Sequence, residues 1–194
     1  MITLTDKAKK MIMDFESLNQ PSRWPGGDSG ITLGFGYDLG YATVDQFESD
    51  WGPYLTSAQL NRLRDAVGKR GIAARNRAAQ FKDIKIKRKD AETVFLERNI
   101  PLYALKTEMA FPGITLLPPD TQGALVSLVF NRGTSMEGDR RREMRALRTA
   151  VANGNLQEIA KQLRSMKRLW ANKGLDGLLV RREKEAKLVE SCMA

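Results

Sequence analysis

The chain has 194 residues and a net charge of +9, and its 42% hydrophobic and 28% charged residues are typical of a globular protein of one domain or two small lobes. It contains no histidine and one cysteine, Cys192, which excludes catalytic triads with an imidazole base, internal disulfides and the usual zinc or thiolate metal sites. Acid–base chemistry must therefore come mainly from Asp, Glu, Tyr or Lys side chains.

The N-terminal part predicts a helix followed by a small β element. Apolar residues recur at helical spacing over residues 5–18. Residues 22–42 are rich in turn formers and carry alternating apolar side chains, which predicts a strand-and-turn element. Six of the chain's 16 glycines lie within residues 24–40. Thr43 and Gln46 form the pattern of a capping box, so the next helix is expected to begin there.

The rest of the chain predicts helices almost throughout. They are expected at residues 57–67, 72–81, 89–110, 140–152, 155–170 and 178–191. Pro101 should kink or split the helix that contains it, and residues 82–88 predict a short exposed extended segment. Residues 121–131 are apolar on nearly all sides, which favours a helix at the centre of the fold over a buried strand. The predicted class is α+β, mostly helical, with one small N-terminal β element.

Glu16 lies at the end of the first predicted helix, just before the glycine-dense segment. A glycosidase needs one carboxyl group that protonates the leaving oxygen and a second carboxylate that activates water or attacks the sugar. The segment offers Asp28 and Asp38 for the second role, and the hydroxyl of Thr32 could help to hold the water. Spacing alone does not separate this site from a glycine-rich hairpin with a surface glutamate and two turn aspartates.

The same residues resemble the phage-type lysozymes, which are the endolysins and muramidases of glycoside hydrolase family 24, and most closely their pesticin-like branch. The first motif is Phe15-Glu16 followed by Ser29-Gly30-Ile31-Thr32-Leu33-Gly34-Phe35-Gly36-Tyr37-Asp38-Leu39-Gly40. Residues 124–133 resemble the family's central buried helix and the turn after it. Trp170 and residues 177–185 resemble its C-terminal helix. These motifs keep the family's order over about 170 residues.

The resemblance implies a lysozyme-like fold in a single catalytic domain, residues 1–194. It would have a small β-containing lobe at about residues 20–55, and a helical lobe of about residues 56–194 with the N-terminal helix. It also implies hydrolysis of the β-1,4 bond between N-acetylmuramic acid and N-acetylglucosamine in peptidoglycan during bacterial cell lysis, without a cofactor. Inversion at the anomeric carbon is expected from the family alone, and a lytic transglycosylase is the nearest chemical alternative.

By this resemblance, Glu16 is the catalytic acid and Thr32 the catalytic threonine. In the pesticin-like arrangement the second carboxylate follows the threonine by six residues, which is Asp38. In the more familiar phage arrangement it precedes the threonine, which points to Asp28. The gap from Asp28 to Thr32 is shorter than in that arrangement, and Tyr37 stands where histidine is usual. We therefore predict Asp38, with Asp28 as the alternative.

Four further residues are predicted to bind the sugar. Asn131 and Arg132, at the end of the central helix, are assigned by the resemblance, as is Tyr37 in the glycine segment. Trp24 is added because an aromatic ring face suits the C–H edges of a pyranose. The alternatives are helix capping by Asn131, an incidental Arg132 and a local core position for Trp24.

Four other residues are predicted to be structural. Of Arg181 and Arg182, one is expected to form a buried ion pair that holds the last helix, because the planar guanidinium suits a carboxylate. Trp51 and Trp170, at helix ends, are expected in the core.

The positive charge is concentrated near the C-terminus. Residues 140–194 hold 14 Lys and Arg against 6 Asp and Glu, a balance of +8, whereas residues 1–139 hold 18 against 17. Such a surface would attract the protein to an anionic cell wall or membrane surface, and salt would weaken the attraction.

Two other classes of function stay open. One is a basic helical nucleic-acid-binding protein, although no recognised motif is visible. The other is a catalytically inactive lysozyme-like protein that binds the wall.

The N-terminus lacks the pattern of a secretory signal, and no apolar run of 18 residues occurs. We therefore expect synthesis in the cytoplasm, and action on peptidoglycan in the periplasm or cell wall after release or injection. A phage endolysin would leave through a membrane pore, whereas an injected antibacterial toxin would require a cognate inhibitor or immunity protein in its producer. A monomer is expected in either case.

Overall fold

A computed structural model describes residues 1–193, which form ten α-helices and one short β-hairpin. The helices are α1 (Asp6–Phe15), α2 (Val44–Trp51), α3 (Ser57–Arg64), α4 (Gly71–Ala78), α5 (Arg88–Val94), α6 (Ile100–Ala110), α7 (Pro119–Arg132), α8 (Arg142–Ala152), α9 (Leu156–Ser165) and α10 (Asp176–Glu190). Strands β1 (Thr32–Leu33) and β2 (Tyr37–Asp38) are antiparallel. The predicted mostly helical α+β class is confirmed. No helix within the described residues is long and apolar enough to span a membrane.

The chain divides into two compact units. The first unit contains residues 1–15 and the chain from Leu102 onward, and the second contains Glu16–Pro101. The predicted lobes, at about residues 20–55 and 56–194, and their union in a single catalytic domain stay predictions.

In the second unit, the hairpin is tied to the chain segment that follows Glu16. Asn19 and Gly34 exchange two backbone hydrogen bonds of 2.8 and 3.0 Å. Gly34 has a φ of +55°, and a Cβ built there would lie 2.8 Å from the Cβ of Ala91 in α5. Both the backbone conformation and the close approach of α5 therefore require glycine at this turn.

Helix α2 begins as predicted, with the capping box of Thr43 and Gln46 formed in both directions. Its last residue, Trp51, is 1% exposed, so its predicted core position is confirmed. The rings of Trp51 and Tyr37 meet edge to face, with centroids 5.8 Å apart. This contact packs β2 against the end of α2.

The prediction of an exposed extended segment at residues 82–88 holds for its charged residues, which are exposed, but is wrong for its two isoleucines. Ile84 and Ile86 are buried, with 0% and 4% of their surface exposed. The side-chain amide of Gln20 accepts from the Ile86 N–H at 2.8 Å and donates to its C=O at 3.0 Å. The amide takes the place of a neighbouring strand, so the backbone can be buried with its polar groups satisfied.

The predicted interruption at Pro101 is confirmed. A π-helical turn, Phe95–Asn99, separates α5 from α6 and ends just before this proline. Proline lacks an amide donor, and its ring would clash with the carbonyl four residues earlier in a regular α-helix. The wider π turn accommodates the ring.

The core of the first unit is built around α7. Residues 121–129 are all buried, so this segment is the central helix and not a strand. Helices α1 and α10 pack against α7, and α9 contacts both α8 and α10. At Gly123 a Cβ would lie 2.3 Å from the Cβ of Ala8, so glycine lets α1 approach α7 closely.

Candidate functional site

Glu16 directly follows α1 and is partly buried. Three residues later, the chain reaches Asn19, which pairs with Gly34 in the hairpin turn. Glu16 and the hairpin therefore belong to the same unit and are joined by a short, hydrogen-bonded connection.

Thr32 and Asp38 are direct partners across the hairpin. Side chains of directly opposed residues in an antiparallel pair project to the same face, with Cβ atoms about 5 Å apart. Thr32 is 6% exposed and Asp38 is partly buried. The structure thus brings together two of the three residues predicted to be catalytic.

The Asp38 carboxylate is held by two backbone amides. It accepts from the Gly30 N–H at 3.0 and 3.1 Å and from the Gly40 N–H at 2.8 Å. Burial raises the pKa of Asp38, and its effect outweighs the opposing effects of these two donors and of Arg70. At Gly30 a Cβ would lie 2.3 Å from the Asp38 Oδ1, so the glycine is needed for the carboxylate to reach its donors.

Asp28, the alternative second carboxylate, lies at the surface. Its Oδ2 is 3.1 Å from the Arg70 Nη1, and the two side chains are 74% and 45% exposed. Solvent screens such a pair, so it contributes little to stability. Of the two aspartates, Asp38 is the one that lies opposite Thr32.

Tyr37 is connected to a charged pair that sequence reasoning missed. Its hydroxyl donates to the Asp50 Oδ2 at 2.9 Å, and the Asp50 Oδ1 is 3.0 Å from the Arg98 Nε. Burial, the hydrogen bond to Asp50 and the charge of Asp50 raise the pKa of Tyr37, so the phenol stays protonated. The predicted contact of Tyr37 with sugar stays a prediction.

Trp24 braces the loop that precedes the hairpin. Its indole N–H donates to the Ser29 carbonyl at 2.8 Å, and its ring is partly buried. The remaining exposed part of the ring is compatible with stacking, and its role in binding sugar stays a prediction.

Asn131 and Arg132 form the last turn of α7, in the first unit. Asn131 is exposed, and its Oδ1 lies 3.5 Å from the Arg182 Nη2. The Arg132 guanidinium lies over the Trp170 ring, 4.9 Å from its centroid. Trp170 is 6% exposed, which confirms its predicted core position.

The predicted buried ion pair of α10 is confirmed, and it contains both arginines. Arg182 and Glu185 are 0% exposed and lie 2.7 Å apart, while the Arg181 Nε is 3.4 Å from the same carboxylate. Ser127 of α7 donates to this carboxylate at 2.6 Å. Burial raises the pKa of Glu185, and the two arginines oppose that effect. The cluster joins α7 to α10.

Comparison with known protein families gives a match to the family described as phage lysozyme over residues 55–185, which is 131 of the 194 residues. The matched segment begins after Glu16, Thr32 and Asp38, so the assignments of these residues depend on the N-terminal motif and the hairpin geometry. No curated protein matches the chain.

Proposed function

The chain belongs to the phage lysozyme family, and from this premise we propose that it hydrolyses the β-1,4 bond between N-acetylmuramic acid and N-acetylglucosamine in peptidoglycan. Glu16 would act as general acid on the leaving oxygen, while Asp38 and Thr32 hold and activate the attacking water. The proposed biological role is lysis of bacterial cells.

The pairing of Thr32 with Asp38 across the hairpin carries this proposal. A hydroxyl and a carboxylate on one face are the groups that position a water molecule and remove its proton. The amides of Gly30 and Gly40 fix the carboxylate before substrate arrives, so less orientational freedom is lost in the reaction. Because burial raises its pKa, the ionised Asp38 is a stronger base than an exposed aspartate.

Four other side chains complete the proposal as sugar contacts: Trp24, Tyr37, Asn131 and Arg132. We further propose that the protein acts as a monomer in the periplasm or cell wall, after release or injection.

The first test compares Glu16→Gln with Glu97→Gln, which changes an exposed glutamate of the same unit. Loss of a general acid is expected to slow the clearing of a peptidoglycan suspension by about 10²–10⁴-fold in Glu16→Gln. Glu97→Gln should clear at the wild-type rate, and circular dichroism should show both variants folded. Lysis at the wild-type rate by Glu16→Gln would remove the proposed acid.

The second measurement identifies the product by NMR during the first minutes of cleavage. Release of the α anomer is expected, because water activated by Asp38 attacks from the face opposite the leaving group. First release of the β anomer would contradict the water-activating role. A 1,6-anhydro product would identify a lytic transglycosylase, and wall binding without release of reducing ends would identify an inactive binding protein.

A further inference from the structure

Three arginines at the junction of α7 and α8 form no ion pair with a carboxylate within the described residues. They are Arg132, the last residue of α7, and Arg140 and Arg141 in the 3₁₀ turn Asp139–Arg141 that leads into α8. We call these three residues the arginine site. All three belong to the first unit.

Two side chains of the arginine site hold buried donors without an acceptor. The Nε of Arg132 and the Nη1 of Arg141 are shielded from solvent, and neither atom has a hydrogen-bond partner. An unpaired buried donor carries a desolvation penalty that a bound acceptor would remove. Both side chains remain partly exposed, so a ligand in solvent can approach their guanidinium groups.

Two neighbouring carboxylates are already paired with other arginines, and a third, that of Glu137, is exposed to solvent. Glu143 lies 3.0 Å from the Arg142 Nε and 2.5 Å from the Arg168 Nε. Asp139 lies 3.2 Å from the Arg168 Nη1. The surrounding protein therefore leaves the arginine site with an excess of positive charge.

The excess positive charge affects the pKa of Arg132. Burial, followed by the positive charges of Arg141, Arg182 and Arg140, lowers the pKa of Arg132 to about 10 and outweighs the opposing charge of Glu143. Like charges that lower each other's pKa would be stabilised together by one bound anion.

The arginine site is also rigidly built. The Arg132 guanidinium lies 4.9 Å from the centroid of the buried Trp170 ring and donates to the Arg140 carbonyl at 2.8 Å. Arg145 fixes the preceding loop by donating to the Gly138 carbonyl at 2.9 Å. A site whose donors are held in place loses less entropy when it binds.

We infer that Arg132, Arg140 and Arg141 form an anion-binding site for a carboxylate group of the peptide that peptidoglycan carries on its muramic acid residues. This inference rests on the proposed function, which makes that polymer the substrate. Guanidinium groups recognise carboxylates through paired, charge-assisted hydrogen bonds. The arginine site contains Arg132 and adjoins Asn131, both of which are proposed to contact the sugar, so an anion bound there would lie beside the sugar.

The test is an NMR titration with a synthetic stem tetrapeptide, once with free carboxylates and once with all carboxylates amidated. The free acid should shift the Arg132 Nε–H and Trp170 indole resonances, and the amidated peptide should bind at least tenfold more weakly. Arg141→Gln should weaken binding of the free acid about tenfold. Arg148→Gln removes an exposed arginine of α8 and the same charge, and should change the Kd less than twofold.

Arg140→Gln, which alters an exposed side chain, provides a second variant if Arg141→Gln does not fold, and it should also raise the Kd several-fold. Equal binding of the acid and the amide, or equal weakening in Arg141→Gln and Arg148→Gln, overturns the inference. Tighter binding of inorganic phosphate than of the free-acid peptide overturns the assignment to a carboxylate.

The titration requires no cleavage, so the two proposals can fail separately. Peptide binding at the arginine site by a protein that never clears peptidoglycan would sustain the site and remove the proposed activity. Clearing of peptidoglycan by a protein that binds no peptide would support the proposed activity and overturn the anion-binding site.

Discussion

Asp38 combines a structural contact with the proposed catalytic role. Its carboxylate orders the loop through the amides of Gly30 and Gly40, and it also faces Thr32 across the hairpin. A substitution that keeps one acceptor oxygen but removes the basic group can separate these two contributions, because stability and turnover then change by different amounts.

Asp38→Asn is such a substitution. Turnover should fall by about 10²–10⁴-fold, as expected for a lost general base. The free energy of unfolding should change by less than about 1 kcal/mol, because the Gly30 and Gly40 N–H groups both donate to the Oδ1, an oxygen that the amide keeps, and the desolvation cost of the charge is removed. Peptidoglycan clearing and urea denaturation measure the two effects. Asp28→Asn, the matched control, should change neither quantity appreciably; a larger loss of turnover in that variant would make Asp28 the second carboxylate.

The raised pKa of Asp38 also predicts the pH dependence of activity. A base must be ionised to accept a proton, so the acid limb of kcat/KM should have its midpoint above 3.8, the ordinary pKa of aspartate. Arg70→Gln removes a positive charge that lowers this pKa and should move the limb to higher pH. Arg75→Gln, at an exposed position of α4, should leave the limb in place. A limb at or below pH 3.8, or a downward shift in Arg70→Gln, would contradict the role of Asp38.

The same shift has a consequence for stability. The folded protein binds the proton of Asp38 more tightly than the unfolded chain does, since its folded pKa is raised. The contribution of this group to stability is therefore fully present below pH 3.8 and is lost as the pH rises through the folded pKa.

The candidate site was predictable where a local motif specifies it. Thr32 and Asp38 stand in one short motif, and the alternation of glycine with larger residues predicted the hairpin that pairs them. The link from Tyr37 through Asp50 to Arg98 was not predictable, because it joins three separate elements and leaves no local pattern.

At the scale of elements, the hairpin depends on how closely its turn approaches α5. Gly34 and Gly27 have nearly the same left-handed backbone, with φ of +55° and +60°. A Cβ at Gly34 would lie 2.8 Å from the Ala91 Cβ, whereas a Cβ at Gly27 would have no heavy atom within 4 Å. The two glycines thus share the backbone cost of a substitution but differ in the packing cost.

Gly27→Ala should lower the free energy of unfolding by about 1–2 kcal/mol, which is the cost of a left-handed conformation for an L-residue. Gly34→Ala should lose this amount and about 1–3 kcal/mol more, because the turn must move away from α5. Urea denaturation measures both variants, and clearing of peptidoglycan should fall in Gly34→Ala because the hairpin is displaced. Equal losses of unfolding free energy in the two variants would show that the turn moves away from Ala91 at no cost.

The predictability of an element follows from whether its signal is local. The capping box at Thr43 and the uniformly apolar run in α7 lie within a few residues, and both were predicted. The burial of Ile84 and Ile86 was not predicted, because an alternating pattern does not show which other part of the chain will cover its apolar side. The amide of Gln20, 66 positions away from Ile86, satisfies the backbone and allows the segment to be buried.

At the scale of the whole molecule, the two units differ in charge. The first holds 19 Lys and Arg against 12 Asp and Glu, a balance of +7, and the second holds 13 against 11, a balance of +2. Several C-terminal cations are locally neutralised: Arg164 pairs with Glu183 and Glu190, and Lys167 pairs with Glu183. Ion pairs weaken the local field but leave the net charge unchanged, so attraction over longer distances follows the balance of +7.

This charge predicts how salt affects wall binding. Glu16→Gln binds without digesting the wall under the proposed mechanism, so it can be sedimented with intact peptidoglycan at increasing NaCl. Between 50 and 500 mM NaCl the Debye length falls from about 14 Å to about 4 Å, and the apparent Kd should rise about fivefold to tenfold. Binding to neutral chitin oligosaccharides should hardly change over the same range, because no anionic group takes part. If the Kd depends equally on salt for both polymers, salt acts on the protein itself and not on its attraction to the wall. If the Kd for peptidoglycan does not depend on salt, the positive surface makes no contribution to wall binding.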